Sequence, residues 1–230
     1  MLACASEDYH VIMASRSEEK AKAAMSEIEA TGDTKGKLST MQLDVTDEKS
    51  IDAAASYVQE HFGHLDILVN NAGVGGLGLD IPTQFRRCLE TNVTGPAMVS
   101  AAFRPLLLRS KNPYSIYVGS GERTLVRNAA QKPASHQNIQ SGGAYQVSKA
   151  ALNMLAVLEF RDYGAEGLKV FVMSPGFVRS NLRGTSEEAR SGWGGAGDPE
   201  VSGELALGII QGKRDADVGC LVHKGGVFPW

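Results

Sequence analysis

The run T-D-E-K-S-I-D-A-A-A-S-Y-V-Q-E-H-F-G-H-L-D-I-L-V-N-N-A-G, from Thr46 to Gly73, decides the fold class. Thr46-Asp47 can cap a helix, and Ile51, Ala54, Ala55, Val58 and Phe62 then recur at the spacing of one buried helical face. Leu65 to Val69 follows as a short apolar strand that runs straight into Asn70-Asn71-Ala72-Gly73. Strands alternating with helices of this length imply a parallel sheet covered on both faces, the doubly wound α/β class.

The same alternation extends in both directions. Upstream, Tyr9 to Ala14 reads as a buried strand, Ser15-Arg16-Ser17-Glu18 as a turn with capping residues, and Ala21, Ala24, Met25 and Ile28 as a helix ended by Gly32. Leu38 to Leu43 is a second strand, closed by Asp44-Val45. Downstream come a helical region from Pro82 to Arg109, a strand from Ser115 to Gly119, a helix containing Tyr145, and a strand from Lys169 to Met173 that leads into Ser174-Pro175-Gly176. The Gly- and Ser-rich stretch 183–197 reads as a mobile loop, followed by a helix near Glu200 to Gln211 and a last strand from Val218 to His223.

With 230 residues and 43% hydrophobic content, the chain has material for one full core, so residues 1–230 are expected to form one domain. Lys+Arg 23 against Asp+Glu 26 gives a net charge of -3 without a long run of either sign, which points away from nucleic acid. Cys4, Cys88 and Cys220 are odd in number and lack metal-ligand spacing, so reduced thiols and no metal site are expected. No apolar run reaches the roughly 20 residues that span a bilayer, and the N-terminus has no basic flank before an apolar stretch. A soluble cytoplasmic protein with no membrane partner is the expectation.

Chemistry enters with S-G-G-A-Y-Q-V-S-K-A-A-L-N-M-L, Ser141 to Leu155. Tyr145 and Lys149 are four apart and share a helix face, with Ala144, Val147, Ala150, Ala151 and Leu155 expected on its buried side. A cation beside a phenol favours the phenolate and brings a group with a free pKa of about 10 closer to working pH. Open parallel sheets bind ligands at the carboxyl ends of strands. Ser15-Arg16, Asp44-Val45, Asn70 to Gly73, Ser120 and Pro175-Gly176 all follow strands.

Taken together, Asn70-Asn71-Ala72-Gly73, Asn92 in T-N-V-T-G, Ser120, Tyr145-x-x-x-Lys149 and Pro175 to Ser180 resemble the classical short-chain dehydrogenase/reductase family over essentially the whole chain from Tyr9. The resemblance implies a three-layer Rossmann-type domain, a nicotinamide cofactor, and a small-molecule carbonyl or alcohol substrate. It also implies that Tyr145 exchanges a proton with the substrate oxygen, Lys149 binds the nicotinamide ribose, Ser120 holds the carbonyl oxygen, and Asn92 distorts its helix to hold a water. Asn70, Asn71, Ala72 and Gly73 would line the cofactor, Asp44 and Val45 would flank adenine, and Pro175, Gly176, Val178 and Ser180 would meet the carboxamide.

Cofactor choice is argued from charge. An acidic residue after the strand Tyr9 to Ala14 would accept from the ribose hydroxyls of NAD and repel a 2′-phosphate. Ser15 and Arg16 stand there instead, and a guanidinium can pair with that phosphate, so NADP(H) is expected over NAD(H). Between Ser120 and Tyr145 the link is longer than is common in the family and reads as a surface insertion over the pocket, carrying Arg123, Arg127, Gln131, Lys132, Pro133 and His136. Ser135 and Ser141 also precede Tyr145, but neither directly follows a strand.

The family places a first strand and a Gly-x-x-x-Gly-x-Gly turn ahead of the element that begins at Tyr9, where this chain has only Met1 to Glu7. Without that strand, two neighbours are expected to lack a partner, and the pyrophosphate its cradle of backbone donors. An alternative reading follows: a catalytically inactive shortened form that binds or regulates a full-length relative, or pairs as a homo-oligomer through its open sheet.

Overall fold

The computed structural model describes residues 2–121, 124–130 and 142–230. In its first part, strands β1 (His10–Ser15) and β2 (Lys37–Gln42) run parallel, with Ser15 opposite Gln42. Parallel neighbours need a crossover, here α2 (Glu18–Glu29), whose cap Ser17 accepts from the Lys20 amide at 3.2 Å. Asp47 caps α3 (Glu48–Phe62), which buries Ile51, Ala54 and Val58 at the expected spacing. A helix of four residues, α1 (Leu2–Ala5), precedes β1 and is too short to show any hydrophobic period.

The second part holds five strands in the order β3 (Ile67–Asn70), β4 (Tyr114–Val118), β5 (Lys169–Met173), β6 (Leu221–His223) and β7 (Gly226–Phe228). The first four are parallel, and β7 turns back antiparallel on β6. β4 and β5 are buried at almost every position, which requires cover on both faces. The helices are α4 (Ile81–Leu89), α5 (Gly95–Leu107), α6 (Leu125–Ala130), α7 (Gly143–Tyr163), α8 (Glu187–Arg190) and α9 (Glu200–Ile210). Leu107, Leu152, Ala156, Leu168, Val170, Val172 and Leu221 form the centre of the core.

The residues divide into two compact units, Met1–Gly63 and His64–Trp230, and among the described residues no strand pairing joins their sheets. Among the described residues β1 and β3 each keep one strand edge without a partner. The helical region from Pro82 to Arg109 is broken by a π-helical turn, Glu90–Thr94, and β7 is too short to show alternation. Finally, the stretch after Val178 is folded: Asn181–Arg183 makes a 3-10 turn, and the Arg183 guanidinium donates to the carbonyls of Val178, Ala189 and Arg190 at 2.9 to 3.0 Å. No described helix is long and apolar enough to cross a membrane.

Candidate active site

The inner face of α7 is more polar than its apolar spacing suggests. Val147 is 46% exposed, whereas Ala144, Ser148, Lys149, Leu152, Asn153, Ala156 and Glu159 are buried. Counting apolar residues misplaces this face because four of its seven buried positions are polar, and three of them, Ser148, Lys149 and Glu159, are held by hydrogen bonds rather than by transfer from water.

Lys149 donates from Nζ to the Val118 carbonyl at the end of β4, at 2.7 Å. Among the described residues no carboxylate forms an ion pair with it. Burial pushes the ammonium down to about 8, with the Cys88 charge acting the other way. Its Nζ lies 5.7 Å from the centre of the half-buried Tyr145 ring, so the pair expected from sequence does share one face.

Asn92 sits in the π turn and is 1% exposed. Its amide grips one backbone residue at two points: Oδ1 accepts from the Val74 amide at 2.8 Å and Nδ2 donates to the Val74 carbonyl at 3.0 Å. Nδ2 also donates to Ser148 Oγ at 2.9 Å, and Ser148 in turn donates to the Tyr145 carbonyl at 2.8 Å. Pro96 has no N–H, so the Asn92 carbonyl lacks the donor that an α-helix would place four residues on. The Gly95 amide instead reaches the Glu90 carbonyl, one residue further back than an α-helical bond. The sequence signal was present in T-N-V-T-G-P.

Ser120 lies two residues past β4 and is half-buried. Both neighbours are fixed to the end of β5: the Gly119 amide donates to Met173 O and the Gly121 amide to Ser174 Oγ, each at 2.9 Å. A Cβ on Gly121 would stand 1.9 Å from the Phe228 ring, so only glycine lets the β7 hairpin close against this turn.

The Asn70 to Gly73 run divides. Asn70 is buried and donates from Nδ2 to Ser100 Oγ at 3.0 Å, while Asn71, Ala72 and Gly73 are exposed. A Cβ on Gly73 would lie 3.4 Å from Asn92 Oδ1 and 3.6 Å from Lys149 Nζ, so this exposed backbone passes directly over both groups. After β5, Pro175 is half-buried and its carbonyl accepts from Ser202 Oγ, and Gly176 takes φ +80. Val178 bridges Gly197, and the Ser180 amide donates to Arg190 O at 3.2 Å.

In the first unit, parallel pairing brings the residues after β1 and β2 out at one end. Arg16 is exposed, and Ser15 Oγ accepts from the Ser17 amide. Asp44 accepts from the Thr46 amide and hydroxyl at 2.9 and 2.7 Å, and these bonds, with Arg16 beyond them, hold its carboxyl below the usual range. Val45 is half-buried beside it.

Sequence reasoning missed Ser148 and Val74, which join Asn92 to the Tyr145 helix, and Glu159, because their partners are distant in the chain. Arg127 lies with its guanidinium 4.7 Å over the Phe228 ring. Arg123, Gln131, Lys132, Pro133, Ser135, His136 and Ser141 lie outside the described residues.

Similarities to known proteins bear on the family and the fold. The family model described as short chain dehydrogenase matches residues 1–191. A short-chain dehydrogenase/reductase of Talaromyces stipitatus, tropE, is 33% identical over 230 residues, which cover 95% of this chain and 86% of that protein. The NADPH-bound carbonyl reductase from chicken fatty liver superposes with a TM-score of 0.74 at 23% identity, covering 97% of this chain and 88% of that one. A 7α-hydroxysteroid dehydrogenase complexed with NADH and 7-oxo glycochenodeoxycholic acid superposes with a TM-score of 0.73 at 24% identity, covering 96% of this chain and 85% of that one.

Proposed function

The chain belongs to the short-chain dehydrogenase family, and from that premise we propose that it interconverts a carbonyl compound and its alcohol with NADP(H), using Tyr145 as the acid or base. Oxidoreductases of this family bind a nicotinamide cofactor, and residues of this chain fit its nicotinamide ribose. Lys149 has a buried ammonium with one backbone partner and no paired carboxylate among the described residues, which leaves N–H donors for ribose hydroxyls. Gly73 keeps side-chain bulk away from that ammonium. Asn71, Ala72 and Gly73 offer exposed backbone to a cofactor, and Pro175, Gly176, Val178 and Ser180 would meet the carboxamide.

The observation that carries the reading is the convergence of Tyr145, Lys149 and Asn92 through Ser148 and Val74. When bound, the cofactor supplies or accepts the hydride. Tyr145 gives its phenolic proton to the oxygen that becomes an alkoxide, and Lys149, charged below a pH of about 8, favours the phenolate left behind. The Ser120 hydroxyl donates to the same oxygen as its charge grows. The Asn92 carbonyl, relieved of its α-helical donor by Pro96, accepts from a water that returns the proton.

Preference for NADP(H) rests on Arg16, whose fork can pair with a 2′-phosphate, with Ser15 as a hydroxyl donor and Asp44 and Val45 beside the adenine. The test is NADPH consumption by the purified chain over a panel of aldehydes and ketones, with Tyr145→Phe alongside. Turnover is expected to fall by about 10²- to 10⁴-fold in the variant while NADPH binds as before. No turnover with any carbonyl, or a variant that keeps more than about a tenth of the rate, would contradict the reading.

A further inference from the structure

A second buried polar system runs across the sheet from the far end of α7. Glu159, 4% exposed, accepts at Oε1 from Arg104 at 3.0 Å, and at Oε2 from Ser115 Oγ at 2.7 Å and the Tyr117 hydroxyl at 2.8 Å. Ser100 Oγ lies 2.8 Å from the Tyr117 hydroxyl, and Asn70 Nδ2 lies 3.0 Å from Ser100 Oγ. Tyr117, Ser115 and Ser100 are all at most 1% exposed.

The carboxylate fixes the direction of every bond in this chain. An ionised carboxylate only accepts, so the single Tyr117 proton goes to Glu159; Tyr117 must then accept from Ser100, and Ser100 from the Asn70 amide. Successive bonds of one polarity that end on a charge strengthen one another in a low-dielectric interior. The chain ends where the backbone turns sharply. The Asn71 amide reaches back to the Val69 carbonyl at 3.0 Å, a bond that closes a three-residue turn centred on Asn70. Residues 71–73 are exposed, and Val74 is gripped by Asn92. This loop is therefore pinned at both ends by buried side chains.

We propose that Ser100 and Tyr117 are positioning residues: they carry the constraint of the Arg104–Glu159 pair to Asn70 and so hold residues 71–73 in place for the cofactor. The inference rests on the cofactor-binding reading above, and its test separates the two. Ser100→Ala cuts the chain beside Asn70, and Tyr117→Phe cuts it one step earlier. Tyr163→Phe is the control, because it removes only the hydroxyl that Arg104 Nη1 meets at 3.4 Å on the opposite side of Glu159.

The measurements are NADPH affinity by fluorescence titration, amide hydrogen exchange over residues 70–74 without cofactor, and thermal unfolding. Ser100→Ala and Tyr117→Phe are expected to speed exchange in that segment and to weaken NADPH binding about tenfold, the equivalent of one lost hydrogen bond. Tyr163→Phe is expected to leave both unchanged even where its melting temperature falls as far. Unchanged exchange in both chain-cutting variants, or equal effects in the control, overturns the proposal. Wild-type protein that fails to bind NADPH overturns the cofactor reading, and the exchange data still decide whether the chain positions the loop.

Discussion

Helix α7 buries two opposite charges, and the protein treats them differently. Glu159 is met by the Arg104 guanidinium and by the hydroxyls of Ser115 and Tyr117, so every part of its carboxylate has a donor. Among the described residues Lys149 is met by a single backbone carbonyl, and its ammonium sits beside exposed backbone at Gly73. Removing an ion from water costs several kcal/mol, which a well-paired site offsets and a poorly paired one does not. The anion is therefore a fixed part of the architecture. The cation keeps electrostatic free energy that a ligand can use, the usual trade of stability for function at a site.

The sharpest way to break this contrast is to neutralise each charge in turn. Glu159→Met leaves Arg104, Ser115 and Tyr117 without their acceptor and is expected to cost about 3 to 5 kcal/mol of unfolding free energy. Lys149→Met removes the ammonium's burial penalty, up to about 3 kcal/mol at neutral pH, and one bond to Val118 worth about 1 kcal/mol, so the variant should be at least as stable as the wild type. Denaturant unfolding of both variants is the check. Equal losses would mean that both charges serve the fold alike.

The pH dependence of stability gives the next effect in size. The folded pKa of Lys149 is lowered from 10.5 to about 8, so between those values the unfolded chain binds more protons and stability must rise with pH. The unfavourable contribution is complete below about pH 8 and is relieved on the way to 10.5. Measured as wild type minus Lys149→Met, which cancels the other titrating groups, stability should climb across that window by up to about 3 kcal/mol. A flat difference would place the ammonium in contact with water.

Much of this was legible beforehand, and the failures share a cause. β5 was read to the residue and α2, α3 and α9 nearly so, because their patterns are local and their ends carry caps or glycines. Tyr145, Lys149 and Asn92 stand out as candidates because each lies in a short motif, and the structure brings the three close together. The inner face of α7 departs from the apolar pattern because Ser148, Lys149 and Glu159 are buried against partners far away in sequence, which no periodicity reports. The same holds for Asn70, whose side chain turns inward to Ser100 while residues 71–73 face out. The division into two sheets depends on which strands find partners, and strand spacing alone does not reveal that.

A third charge extends the comparison to the surface and gives the smallest effect. Arg16 is exposed, so on the proposed reading its attraction for a 2′-phosphate would be screened by salt, whereas the buried Lys149 ammonium is screened far less. Ser15→Asp with Arg16→Ala is expected to shift the ratio of NADPH to NADH affinity about tenfold toward NADH at low ionic strength, and less at high. A ratio that does not move would remove Arg16 from cofactor choice.

The most direct test of Lys149 as a buried cation held ready for a cofactor is NADPH titration of the wild type and Lys149→Met from pH 7 to pH 9.5, at roughly constant ionic strength. Wild-type affinity should be level below the lysine's value of about 8 and then fall toward tenfold for each further pH unit, since binding must restore the proton. The variant should bind weakly at every pH with no such break. A wild type whose affinity ignores pH across this range, or a variant that binds as tightly, would contradict it.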